Sequence, residues 1–304
     1  MLPYKLRDWI DKDKLFWKYL CRNINAGQLL EQNLDKIDWE NLSSNSSPRP
    51  IRILEQNLDK IDWSYLSSNP GAVDILKKNQ DKIHWTEFAG NPCPHVMQLL
   101  EQYIKNHQDE PELLIDIWDI LSMNPSGIDF LEKNPEKIDW YWLSEIHSAI
   151  HLIEKNLDKI DWFGLSKNPS AFHILEKNLD KIKWEALHFN PNPKVISLFE
   201  KNPDKIDWQD ISFHPHAISL LEQNPDKIDW QSLSENSCAI HLLEKNQDKI
   251  NWQNLSLNPN IFVYDYDEMR NDKFALHEEL LAFVLNPDNV SKFEEWGLIN
   301  YHSN

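Results

Sequence analysis

Glycine is scarce, with six in 304 residues, and cysteine scarcer still, with three. The glycines are scattered, so there is no glycine-rich loop of the kind that cradles a phosphate. Cys21, Cys93 and Cys238 stand far apart with no CxxC pair, which excludes a disulfide framework and points to a reducing compartment. No apolar run reaches signal-peptide or membrane-span length, and the opening LPYKLRDWIDKDK is charged throughout, so neither secretion nor membrane insertion is expected. Clustered lysine and arginine are missing too. The repeated lysines are flanked by carboxylates and the formal net charge is −18, which argues against phosphate contact and hence against nucleic-acid binding. HExxH, a nucleophile with its base and isolated carboxylate pairs are likewise missing, so no catalytic residue, metal or cofactor is expected.

What the chain has is one sentence repeated. Trp17, Trp39, Trp63, Trp85, Trp118, Trp140, Trp162, Trp184, Trp208, Trp230 and Trp252 each close a near-copy of LLEKNPDKIDWxxLSxNPxAI, most of them 22 residues apart. A fixed short period marks units that bury their apolar faces only against one another, here about eleven of them. The acidity belongs to the repeat, whose Glu, Lys and DKID residues leave each unit one negative charge in excess, and it reads as a solvated, self-repelling surface.

The unit Asn168 to Asn190 predicts two short helices. Asn168 is an N-cap, Pro169 the first helical residue, and Ala171, Phe172, Ile174 and Leu175 form one apolar stripe; Asn178 is expected to end the helix in the left-handed conformation. The residue before the tryptophan is usually Asp (Asp38, Asp62, Asp139, Asp161, Asp207, Asp229) or Asn251, suited to cap the second helix; His84 and Lys183 break the rule. About two turns long, the second helix needs neighbours to exist. The tryptophans, with Ile two before and Leu three after, are assigned to the structural core.

The departures are informative. Junctions SSPRPI, NPCPHV and NPNPKV carry a second proline and alter local geometry. Between Trp85 and Trp118 a longer insertion, near residues 101–117, brings Asp109, Glu110, Glu112 and Asp116; irregular insertions in repeat arrays often sit on a binding face, the alternative being a lengthened hairpin. The two positions after each tryptophan vary freely, and there Tyr141, Trp142 and Phe163 stand out as aromatics against a polar background, the residue types that dominate interface energetics. A column of His151, His173 and His241 invites a metal reading, but stacked helices lie roughly 10 Å apart whereas ligands sit about 2 Å from their metal.

Both ends abandon the repeat, as caps over the open ends of a stack would. Residues 1–11 are read as an N-terminal cap with Trp9 and Ile10 as cover, 12–260 as the array, and 261–304 as a capping segment with a longer helix around Leu280, Leu281, Phe283 and Val284. The repeated DKIDWxxLSxNPxAIxLLEKN, the YKLRDWIDKDKL opening and the IFVYDY ending together resemble a family of tryptophan-containing tandem repeat proteins of giant DNA viruses of amoebae and related large DNA viruses. The resemblance covers essentially the whole chain. It implies a viral origin and expansion by duplication, and brings no catalytic residues with it. The expectation is an all-α solenoid of about eleven helix-pair units with two caps. As a non-catalytic scaffold or adaptor it would recognise a host or viral protein in the host cytoplasm or virus factory; a structural virion component is the alternative.

Overall fold

The structure, a computed structural model, describes residues 3–271. It is all-α; among these residues only two three-residue strands interrupt the helices. The helix expected around Leu280 to Val284 lies outside the described residues. We number the units 1 to 11 by their tryptophans, from Trp17 to Trp252.

Each regular unit has more parts than a helix pair. In the unit carrying Trp184, a 3-10 turn (Pro169–Ala171) runs into an α-helix (Phe172–Leu175), a second 3-10 turn (Leu179–Lys181) follows, and the tryptophan helix (Trp184–Leu187) closes it. Asn168 caps the first turn by accepting from the Ser170 N–H at 2.9 Å. Asn178 does not adopt the expected left-handed conformation; its φ is −133° and its ψ 52°. Its side-chain amide instead donates to the Ile174 carbonyl at 2.8 Å, as Asn57 does to Ile53 and Asn202 to Leu198. A side-chain donor satisfies an otherwise free terminal carbonyl, so no left-handed residue is needed. Asp38, Asp62, Asp139, Asp161, Asp207, Asp229 and Asn251 all cap their tryptophan helices, while His84 and Lys183 make no such bond.

The leucines three after the tryptophans are fully buried. The tryptophans pack against this core without being enclosed, and only Trp118 is buried. A lysine of the following unit lies over the ring: Lys36 over Trp17 at 4.5 Å, Lys60 over Trp39 at 4.6 Å and Lys249 over Trp230 at 4.6 Å. The DKIDW lysine therefore has a partner, because an ammonium is drawn to the negative face of an indole.

Neighbouring units are joined by buried polar rungs at two further positions, four and six after the tryptophan. Ser43 donates to the Trp39 carbonyl and accepts from the Asp62 N–H at 3.0 Å; Asn69 donates to the carbonyls of Ser43 and Asn45 at 2.8 and 3.1 Å. The same pattern recurs through the array, for instance at Ser166 with Lys183 and at Asn190 with Ser166 and Asn168. Buried polar atoms require partners, and each rung side chain finds at least one of them in the adjacent unit.

The last unit also has such a neighbour, which is the first. Asn23 donates to the carbonyls of Ser256 and Asn258, both at 3.0 Å, and Ser256 accepts from the Phe16 N–H at 2.9 Å. Lys14 lies 4.9 Å over Trp252, and Asn25 bonds the Pro259 carbonyl at 3.0 Å just as Asn192 bonds that of Pro169. Unit 1 follows unit 11 by the contacts that join regular neighbours, so the array closes into a ring. Strand β1 (Tyr4–Leu6) pairs antiparallel with β2 (Phe262–Tyr264) across the seam, with Tyr4 stacked on Tyr264 at 4.8 Å. The segments expected as caps meet each other here, and residues 272–304 of the expected C-terminal cap lie outside the described residues. Residues 4–6 and 262–264 clasp two ends that cover each other, because a ring leaves no terminal face exposed.

Candidate functional site

Backbones of successive tryptophan helices, and of successive Asn-Pro turns, approach each other closely, whereas the LLEKN helices between them mostly stand farther apart. In a ring the circumference grows with radius, so the closely spaced elements face the axis. A cavity of about 400 Å³ agrees, since Phe189, Phe213, Glu235 and Leu257 reach it from four consecutive units, 8 to 11. Position five after the tryptophan is thus on the inner rim. Burial raises the Glu235 carboxyl above the usual carboxylate range, an effect partly offset by Arg22 of unit 1 across the seam.

The sequence candidates fall into two places. Tyr141 and Trp142 sit on the short helix Trp140–Leu143 with rings edge to face at 4.8 Å, and Phe163 is on the next unit's tryptophan helix under Lys167, 5.1 Å from its ring. Tyr141 is 47% exposed and the other two are half-buried. The two helices meet backbone to backbone, for a Cβ on Gly164 would come within 2.8 Å of the Tyr141 carbonyl oxygen. Met123, Phe189 and Phe213 are exposed at position five of their own units, whereas position five of the two units that carry Tyr141, Trp142 and Phe163 is an ion pair, Lys167 with Glu145 at 3.3 Å. Apolar rings gathered on a charged protein are a recognised mark of protein interfaces.

Asp109, Glu110, Glu112 and Asp116 are elsewhere. The insertion is regular: helices Met97–Asn106 and Pro111–Ser122 form a long hairpin with Asp109 and Glu110 at its exposed tip and Glu112 and Asp116 exposed along the second helix. Here the 3-10 turn before the tryptophan is absent, and Tyr103 stacks on Trp85 at 4.0 Å in the lysine's usual place. The N–H before Trp118 lies inside a helix and needs no outside acceptor, which explains why unit 4 has Ala89 where most other units have serine. Between the hairpin and unit 6 opens a groove of about 700 Å³ floored by Ile104, Leu114, Trp118 and Phe130.

The histidine column forms cross-unit pairs: His151 with Glu132 at 2.6 Å, His173 with Glu154 at 2.8 Å and His241 with Glu222 at 3.2 Å. Among the described residues no group of three or more His, Cys, Asp or Glu could hold a metal ion, and no helix is long and apolar enough to cross a membrane. Sequence reasoning missed the serine and asparagine rungs, although they recur about as regularly as the tryptophans. Two histidines occupy rung positions. His188 accepts from the Asp207 N–H at 2.9 Å through Nε2, leaving Nδ1 buried and unpartnered, and His214 pairs its Nε2 with the Asn190 carbonyl at 2.9 Å. Burial pushes both below the ordinary histidine range, against the pull of Asp210 and Asp207 on His188. Cys21 replaces a rung serine, and burial pushes its thiol up to about 11, which keeps it protonated and unreactive.

Comparison with family models, with curated proteins and with solved structures yields no match to the chain.

Proposed function

We propose that this ring is a non-catalytic recognition scaffold of a large DNA virus, engaging a host or viral protein through the variable exposed positions of its tryptophan helices. The observation that carries the reading is the grouping of Tyr141, Trp142 and Phe163 on two touching helices, on a chain whose other variable positions are mostly polar. Aromatic side chains bring large contact area at small conformational cost, which is why they concentrate interface energy. The viral affiliation rests on the DKIDW repeat and its flanking segments. Ring closure favours an adaptor over a structural virion component built by end-to-end stacking, because such stacking needs a free terminal face.

The test is affinity capture of the tagged chain from infected cells with mass spectrometry, beside the triple variant Tyr141→Ser, Trp142→Ser, Phe163→Ser. A stoichiometric protein lost in the variant is the expected result. Recovery of capsid proteins alone, unchanged by the variant, would replace the adaptor reading with the virion one.

A further inference from the structure

Four of the residues that line the inner-rim cavity of units 8 to 11 are departures from the repeat. At position four His188 replaces the usual serine, at position six His214 replaces the usual asparagine, and at position five Phe189 and Phe213 stand where units 2 to 4 have Ser44, Ser68 and Gly90. The scaffold needs no aromatic ring at that place, because serine and glycine serve there elsewhere. Both rings nevertheless remain accessible, Phe189 at 52% and Phe213 at 43% exposed, and Leu257 lines the same cavity. Charge in the lining has one sign. Each imidazole accepts a backbone N–H through a ring nitrogen, His188 from Asp207 at 2.9 Å and His214 from His216 at 3.2 Å, so both are neutral and Glu235 is the one ionised side chain of the lining. Arg22, Glu145 and Lys167, the other charged residues at position five, lie outside it. Arg22 acts on Glu235 from across the seam but forms no ion pair with it among the described residues, and burial leaves the carboxyl above its usual range. Two aromatic faces and a partly desolvated carboxylate attract the same kind of group, a weakly hydrated cation, and a volume of about 400 Å³ suits a small organic molecule.

We propose that this cavity binds an organic ammonium ion with alkyl substituents, whose apolar groups pack on Phe189, Phe213 and Leu257 while its charge faces Glu235. A quaternary or methylated ammonium fits better than an unmodified lysine, whose compact head holds its water strongly, because alkylation weakens hydration and gives the rings apolar surface to cover. Two sources carry this chemistry, a free small compound and the methylated lysine of a protein. The inference is independent of the recognition reading above, since the cavity shares no residue with Tyr141, Trp142 and Phe163.

The test is isothermal titration calorimetry of the full chain with choline, with its uncharged analogue dimethylbutanol, in which carbon replaces nitrogen, and with a short peptide carrying either one trimethyl-lysine or an unmodified lysine. Saturable one-to-one binding of choline is expected, with dimethylbutanol about tenfold weaker or worse. Glu235→Gln, and separately Phe189→Ser with Phe213→Ser, should each weaken choline about tenfold or more. Arg22→Gln removes a competing cation and should strengthen it, whereas Glu145→Gln, at the acid in position five of unit 6, should leave it unchanged. Serine is native at position five of units 2 and 3, so the double variant does not threaten folding. Tighter binding of the trimethyl-lysine peptide than of choline supports the proposal with a modified protein as the source; the reverse order supports it with a free compound. The proposal is overturned if neither choline nor the methylated peptide saturates, if dimethylbutanol or the unmodified peptide binds as well, or if Glu145→Gln weakens binding as much as Glu235→Gln. Failure here leaves capture through Tyr141, Trp142 and Phe163 untouched, and loss of that capture leaves these titrations untouched.

Discussion

Units 11 and 1 share no peptide link along the repeat, yet the seam between them carries both asparagine bonds, the serine bond and the lysine over tryptophan that join regular neighbours. The arc of units 4 to 6 is covalently continuous and has lost pieces of the same machinery. Ala89 stands where a serine would be and Ile146 where an asparagine would be, and the long hairpin replaces a 3-10 turn. Continuity of the ring is therefore set by rung chemistry and not by the order of the chain. Where the rungs are interrupted, the protein presents its groove and the Tyr141–Trp142 pair.

The largest effect should come from removing a rung. Asn45→Ala strands two carbonyls and the Ser47 N–H, and with buried unpaired groups costing about 1–3 kcal/mol each, a loss of about 3 kcal/mol or more is expected in urea unfolding. Asn23→Ala should cost the same if the seam is an ordinary interface. A cost below about 1 kcal/mol at Asn23, with an enlarged radius of gyration in solution scattering, would mean that the ring is open.

A smaller effect distinguishes the histidine rungs. His188 and His214 are held neutral in the folded chain, below the ordinary value of 6.5, so the unfolded chain takes up protons first. Stability is whole above pH 6.5 and falls as the pH drops from there through the lowered folded values. His188→Ser restores the residue found in most units and should remove part of this slope; an unchanged slope in denaturation measured between pH 7 and pH 5 would contradict it.

Repairing the irregular arc should help modestly. Ile146→Asn supplies donors for the carbonyls of Ser122 and Asn124 and is expected to stabilise by about 1 kcal/mol in the same urea assay, unless loss of the isoleucine's packing offsets it. Smallest of all, Lys60→Met removes the ammonium over Trp39 and should cost about 0.5–1 kcal/mol, less at high salt.

The helices were legible because their signals are local. Asp38 and its equivalents cap, Asn168 with Pro169 starts a helix, and the leucine three after each tryptophan is buried, all within a few residues of chain. Asn178 was misread because Asn has two ways to end a helix, and only the relation of its amide to the Ile174 carbonyl chooses between them. The candidate surfaces were half legible. Tyr141, Trp142 and Phe163 were visible as aromatics among polar residues, but the groove was not, because its floor combines Leu114 and Trp118 with Phe130 of the next unit. The rungs were present as repeated Ser and Asn, residues common in turns and caps, and nothing local told a buried bond to the next unit from a solvated turn.

By itself the sequence determined the unit: its length, its helices, its caps, its buried leucines and its excess of negative charge, each fixed by interactions between residues close in the chain. Closure was decided only by the tertiary structure. Whether unit 11 meets unit 1 depends on a small rotation between neighbours, added up around the array, and no single copy of the repeat encodes that angle. Once the accumulated turn brought Asn23 beside Ser256, the bond that joins regular neighbours was available there as well, and Tyr4–Leu6 with Phe262–Tyr264 became a clasp.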